Sequence, residues 1–445
     1  MTGAKALILV VIDGLTPSML EDTLERRTAP ALALLAEHGR YRRAISTFPS
    51  LTPVCLSSLA TGAHPDVHEI PHLVWYHSGE QRLVEYGSSF GAVRAAGTRQ
   101  SLIDTVYGLN DSHLSRNAVT VYEALEDAGL TAAAVNITCY RGRTEHLPTR
   151  RVPVLTRPAH GPKRLFFYNL FESDVTGAPL SVRNRPGGSI DAYAAAVGRW
   201  LVTRDAFDFL VFYLSDYDYA PHAVGPDAAH NVLQGALARC DDAVGGLIEA
   251  AGGPDQFLER YAVILCSDHG QTQVDEVERL ENTFPDEIVT ASNRAGMVYS
   301  DGDPAALAAR LDGHRGVDVV LYREGDEAVA RRDGEELRFT PDGTSGDPAI
   351  LDHPQGLERA WAALANPNAG ELIVSAAAGW EFADLAGRHH SGGGSHGSLL
   401  AGDSEVPMLT VGLETLPGSI VEVMPAVLEH FGVVAPAYAR APARA

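Results

Sequence analysis

Positive charge is scarce in this chain. Its 35 lysines and arginines stand against 57 aspartates and glutamates, a formal net charge of -22. A surface of that sign repels a polyphosphate backbone, so non-specific nucleic-acid binding is not expected. Cysteine is scarce too: Cys55, Cys139, Cys240 and Cys266 show no paired spacing, which argues for reduced, buried thiols rather than a disulfide framework. Long apolar runs are missing. No stretch reaches the roughly 18 residues that a membrane-spanning helix needs, so no membrane partner is expected. The short run after Lys5 imitates a secretory leader, but Asp13-Gly14 stands where a cleavage region would fall. The expected location is therefore the cytoplasm. What remains is a chain of 445 residues, 45% hydrophobic, with a mean hydropathy of -0.05. That is a globular composition, long enough for one large domain or two.

Apolar strands alternate with helical patterns along most of the sequence. This predicts an α/β fold with a mostly parallel central sheet flanked by helices. Ala6–Ile12, Thr131–Ile137, Phe207–Leu214, Tyr261–Cys266 and Val406–Val411 read as core strands. Thr28–His38, Thr120–Asp127, Ile190–Val202 and Ala228–Ala251 read as helices. Thr52-Pro53 opens another helix, with Thr52 as the N-cap and Pro53 at the first helical position. The catalytic domain is expected over 1–435. Within it, 274–380 reads as a smaller α+β insertion or cap, and the polar, aromatic excursion 73–113 as a substrate wall. Residues 436–445 read as a frayed tail.

Residues of metal-ligand type gather at the ends of these strands. Asp13 closes Ala6–Ile12, and Asp268-His269 closes Tyr261–Cys266 within Ser267-Asp268-His269-Gly270. In an open parallel sheet, functional groups belong at the carboxyl ends of the strands. Adjacent charged and imidazole side chains at a buried strand end are costly unless something binds them. Asp218 and His222, four residues apart, are within reach of one ion on a helical turn or a tight loop. Asp216 is the competing ligand. His396 lies in Gly392-Gly393-Gly394-Ser395-His396-Gly397, where glycines let the backbone approach closely, with His389 and His390 nearby. Cys266 shares the strand of Asp268, and core packing is its expected role. Thr52 is the candidate nucleophile. Coordination to a divalent ion activates a hydroxyl, and a helix N-terminus favours phosphoryl oxygens. Thr47, in Ser46-Thr47-Phe48-Pro49, is the alternative.

Taken together these segments resemble the alkaline phosphatase superfamily, and most of all its nucleotide pyrophosphatase/phosphodiesterase branch. The matching pieces are Val11-Ile12-Asp13-Gly14, Phe48-Pro49-Ser50-Leu51-Thr52, Thr61-Gly62-Ala63-His64-Pro65-Asp66-Val67-His68, Asp218 through Pro226, Ser267-Asp268-His269-Gly270 and Ser395-His396-Gly397. They run in the family's order. The distance from Thr52 to Thr61-Gly62 matches the pattern better than that from Thr47. The resemblance implies two divalent metal ions, zinc first, with manganese or iron as alternatives. One ion would be held by Asp218, His222 and His396. The other would be held by Asp13, Asp268 and His269, with Thr52 facing it. Thr52 would attack a small-molecule phosphate ester and form a phospho-threonine intermediate.

The sequence departs from the branch in one place. Its members carry an asparagine shortly after a His-Gly-Ile stretch, where it helps to hold a phosphate oxygen. Here the run is His68-Glu69-Ile70-Pro71-His72-Leu73, so Glu69 replaces the glycine and Leu73 the asparagine. The substitute phosphate contacts are expected among His72, Trp75, Tyr76, His77, Asn110, Arg141 and Arg143. The leading reading is a phosphodiesterase or nucleotide pyrophosphatase. A phosphomonoesterase or phosphonate hydrolase on the same core is the alternative, followed by a non-catalytic metal-binding protein of this fold. No Cys-x-Pro-x-Arg sulfatase signature is present.

Overall fold

The computed structural model describes residues 4–149, 153–174, 189–226 and 230–439. Its central sheet has eight strands, in the order Arg40–Ile45, Glu405–Val411, Tyr261–Cys266, Ala6–Ile12, Phe209–Leu214, Ala132–Val135, Arg164–Phe167 and Phe171–Glu172. The inner strands, from Tyr261–Cys266 to Arg164–Phe167, pair in parallel. Both edges turn antiparallel, so the sheet is mixed, with a parallel centre. Ala6–Ile12 sits mid-sheet and explains its own sequence: Leu7, Leu9 and Val11 enter one core, and Ile8, Val10 and Ile12 the other. A strand covered on both faces needs a continuous apolar run rather than an alternating one. Helices Pro30–Glu37, Ser189–Thr203 and His230–Ala250 pack on one face, and Thr52–Thr61, Val121–Asp127 and Val423–His430 on the other. The expected helix start at Ala228 lies outside the described residues.

A second, wholly antiparallel sheet of seven strands lies within 288–376. Val319 and Leu321 face a core shared with helix Gly356–Leu364, whereas Val320 and Tyr322 face one shared with Pro304–Ala309. This alternation is the period-two signature of a strand with two covered faces. Two buried arginines tie this part to the central domain. Arg359 donates to the Thr47 carbonyl at 3.0 Å, and Arg294 pairs with Asp403 at 2.8 Å. The four cysteines are free and buried, with Cys266 in the core. At the C-terminus, Tyr438 exchanges hydrogen bonds with the Val119 backbone, so 436–439 are docked rather than frayed. Residues 440–445 lie outside the described residues. Among the described residues, no helix is long and apolar enough to cross a membrane.

Candidate metal and phosphoryl-transfer site

The strand ends converge. Asp13 leaves Ala6–Ile12 next to Asp268 and His269, which follow the neighbouring strand Tyr261–Cys266. His269 Nε2 lies 3.3 Å from Asp13 Oδ1 and 3.6 Å from Asp268 Oδ2. Asp268 Oδ1 is used up by the backbone, accepting from Gly14 and His269 N–H groups at 3.3 and 3.0 Å. Gly14, at φ +67°, is the turn that makes this possible. A Cβ there would fall 2.4 Å from Asp218 Oδ1. Asp218 starts the short helix Tyr219–Val224, so it and His222 share one helical turn, with 3.1 Å between Oδ2 and Nε2. Possible ligand atoms of Asp218, His222 and His396 lie within 4.8 Å of one another, as do those of Asp13, Asp218 and His269. Asp218 belongs to both groups.

The three imidazoles share one arrangement. His222 Nδ1 donates to the Gly394 carbonyl at 2.7 Å, His269 Nδ1 to Gly270 at 3.1 Å, and His396 Nδ1 to Ser50 at 2.7 Å. A carbonyl only accepts, so each Nδ1 carries a proton and each Nε2 is the nitrogen that faces the centre. Metal-ligating histidines are held in this way. The glycine-rich segment is needed for the approach, because a Cβ on Gly393 would lie 2.2 Å from the His222 carbonyl oxygen. The His269 and His396 rings stack, 3.5 Å between centroids.

Electrostatics point the same way. Burial and the charge of Asp218 raise Asp13 well above the ordinary carboxyl range, and burial and Asp13 push Asp268 up to about 8. Burial opposes ionisation of Asp218 as well, but His222 outweighs it and holds that carboxyl low. His396 is driven down by burial and by His269. Among the described residues, the buried oxygens Asp13 Oδ1 and Asp268 Oδ2 make no hydrogen bond. Orphaned carboxylate oxygens beside inward-facing imidazole Nε2 atoms fit divalent cations, which would take the place of the protons held there. Two further groups steady the carboxylates: Tyr213 donates to Asp13 and Gln271 to Asp218.

Thr52 Oγ1 lies 3.2 Å from His269 Nε2. Thr52 is the first residue of its helix, and Leu51 is the N-cap, with no side-chain cap bond. The expected Thr-Pro cap is thus displaced by one residue, and this leaves the hydroxyl for the site. The preceding loop is stitched to the His396 segment through Ser50 N–H to the Gly397 carbonyl and Ser50 Oγ to the Ser398 carbonyl. Thr47, the alternative hydroxyl, is fully buried elsewhere. Asp216, the competing ligand, instead accepts from Ile190 and Asp191 N–H groups at the start of helix Ser189–Thr203. His389 is exposed, whereas His390 lies beside His222, 4.2 Å between ring centroids, and pairs with buried Glu381.

Thr52, Asp13, Asp218, His222 and His396 open into a cavity of about 860 Å³. From the excursion 73–113, Leu73, Tyr86–Phe90, Val93, Thr105 and Leu109 line this cavity. The individual residues expected there do not line it. His72 is spent on the Val74 and Ala295 carbonyls, Trp75 is in the core, and Tyr76 packs on Tyr299. His77 stacks on Trp75, and Asn110 bridges the Thr138 carbonyl and the Tyr140 N–H. Arg141 and Arg143 are occupied by Glu123 and Asp127. In their place stand Asn293, whose amide donates to His396 Nε2 at 2.9 Å, and Arg388. Asn293 sits at φ +58° in the hairpin between Ile288–Ser292 and Ala295–Tyr299. A hairpin asparagine in an insertion gives no signal of a site. Gln271, two residues past His269, and Tyr213, at a strand end, were legible by position only.

Comparison with known proteins gives the family and the fold. A family model described as type I phosphodiesterase / nucleotide pyrophosphatase matches residues 7–399. The chain belongs to that family, within the alkaline phosphatase superfamily. Among solved structures, phosphonoacetate hydrolase from Sinorhizobium meliloti with bound phosphonoformate superposes with a TM-score of 0.65 at 17% identity, over 97% of this chain and 96% of that one. Murine ectonucleotide pyrophosphatase / phosphodiesterase 5 superposes with a TM-score of 0.63 at 14% identity, over the same shares of 97% and 96%. No curated protein sequence matches the chain. Family membership makes the protein a hydrolase of the phosphate-ester class.

Proposed function

We propose that the protein cleaves phosphodiester or nucleotide pyrophosphate bonds through a covalent intermediate on Thr52. The observation that carries this reading is the convergence of three backbone-locked imidazoles and three carboxylates beside one hydroxyl. Asp218, His222 and His396 would hold one divalent ion, and Asp13, Asp268 and His269 the other, zinc being favoured by the mixed Asp/His donors. When bound, such ions supply Lewis acidity and lower the pKa of a hydroxyl. The chain does the rest. Thr52 Oγ forms a bond to phosphorus while the leaving oxygen departs on the opposite side, and water then releases the phosphoryl group and restores the threonine. The helix that Thr52 opens presents its positive end to the phosphoryl oxygens. Tyr213 and Gln271 hold Asp13 and Asp218 in place. The solved neighbours support the reading at the level of fold, and one is an inactive Thr→Ala variant of the murine protein in complex with AMP.

A phosphonate hydrolase is the second reading, favoured by Leu73 on the cavity wall where the branch has its asparagine. Four reduced, buried thiols suit a reducing compartment, and we place the protein in the cytoplasm. The test is the purified, metal-analysed protein against a bis-aryl phosphate, an aryl monoester and an aryl phosphonate. Diester turnover with two bound metal equivalents is expected. Faster monoester or phosphonate turnover would overturn the diester preference. His396→Ala should lose one equivalent.

A further inference from the structure

We propose that Arg388 is a specificity-determining residue that binds a second anionic group on the organic part of the substrate. This rests on the phosphoryl-transfer reading of the same cavity and names the class of substrate it takes. The cavity is several times larger than a phosphoryl group, so the bound ester extends beyond the metal and threonine cage. Among the described residues lining it, Arg388 is the one lysine or arginine. Its backbone N–H donates to Asp384, but among the described residues its guanidinium makes no hydrogen bond or ion pair. Arg141 and Arg143, by contrast, are both taken by carboxylates.

Arg388 is exposed, on a backbone turn that is itself pinned. Buried Asp384 accepts from the Ala386 and Arg388 N–H groups, each at 2.8 Å, and its own N–H donates to the Arg388 carbonyl at 2.9 Å. Its other oxygen accepts from Ser89 of the 73–113 excursion. Two residues on, His390 lies against His222. Two residues span at most about 7 Å, so the Arg388 backbone stands that close to the backbone of His390. A planar fork of that kind pairs bidentately with a carboxylate or a second phosphoryl group.

Two measurements test this on the zinc-loaded full chain. In the first, kcat/KM is compared for a 4-nitrophenyl diester whose second arm is 3-carboxyphenyl or phenyl. Arg388→Ala should cost roughly tenfold to a hundredfold on the charged ester and under about twofold on the neutral one, with Arg388→Lys between them. In the second, calorimetry compares phosphonoacetate with 2-oxopropylphosphonate, in which a methyl ketone replaces the carboxylate. Wild type should prefer the dianionic probe at least about tenfold, and Arg388→Ala should lose that preference. Equal losses on both esters, or a preference that survives in Arg388→Ala, would overturn the proposal. A wild type that turns over no ester but keeps the binding preference would sink the hydrolase reading and leave the role of Arg388 standing.

Discussion

Asp13, Asp268 and His269 follow strands buried on both faces, whereas Leu73, Asn293 and Arg388 reach the cavity beside Asp13 from excursions between core elements. The first group announces itself. A polar residue that ends a continuous apolar run has one natural place, the carboxyl edge of the sheet, where charge without a partner is too costly to keep. The second group has no such signature. A wall residue is polar or apolar according to what packs behind it, and the run 72–77 shows how this misleads: His72, Trp75 and His77 look like ligand contacts and are used instead to hold the wall together.

The sharpest way to break this contrast is at Thr52. Thr52→Ala should reduce turnover by about a thousandfold or more while leaving metal content unchanged. Steady-state kinetics paired with metal analysis decides it, and retention of activity within tenfold would put the nucleophile elsewhere. Arg141 tests the other side. Its guanidinium is buried against Glu123 and the Leu114, Ser115 and Ala118 carbonyls, so Arg141→Met should cost about 3–5 kcal/mol of stability. The kcat/KM of the folded fraction should not move, and a selective kinetic defect would return Arg141 to the substrate wall. Gln271→Ala removes a support of Asp218 rather than a ligand, and a loss of roughly 10- to 100-fold in metal affinity is expected by competition titration. An unchanged affinity would make Gln271 incidental.

The smallest effect concerns pH. Without metal, Asp268 is pushed up to about 8, by burial and by Asp13, and Asp191 to about 7, by burial and by Asp216. Between the ordinary carboxyl range and those values, the folded chain keeps protons that the unfolded chain has released. Stability of the chelated protein should therefore fall as pH rises from about 4 toward 8, because the native state then binds more protons than the unfolded one. Urea midpoints at pH 5.5 and 8 in the presence of chelator measure the slope. Added zinc should close most of the gap, since it replaces the proton on Asp268. A chelated protein that gains stability toward pH 8 would mean that these carboxyls are not the protonated ones.

Membership of the fold was legible because strands with two covered faces must be apolar throughout, and helices between them must carry a 3.6-residue period. The ligand types were legible because acid and imidazole groups at strand ends and after glycines have few other uses. Even so, the helical turn from Asp218 to His222, and the place of Asp218 in both ligand groups, were open until the chain was folded. Asp216 shows the same limit from the other side. Two residues from Asp218 and of identical chemistry, it caps a helix instead, because the backbone N–H groups of Ile190 and Asp191 arrive beside it from a distant segment.

By itself, then, the order of residues determined the layers of the fold and the chemical kinds gathered at the sheet's edge, since both follow from local periodicity and the cost of burying charge. Only the tertiary structure decided which donors share a centre, which hydroxyl faces them, and that Asn293 and Arg388, rather than His72 or Arg141, look into the cavity. Those choices depend on contacts between segments as much as 346 residues apart, as from Ser50 to His396, and no local pattern encodes them.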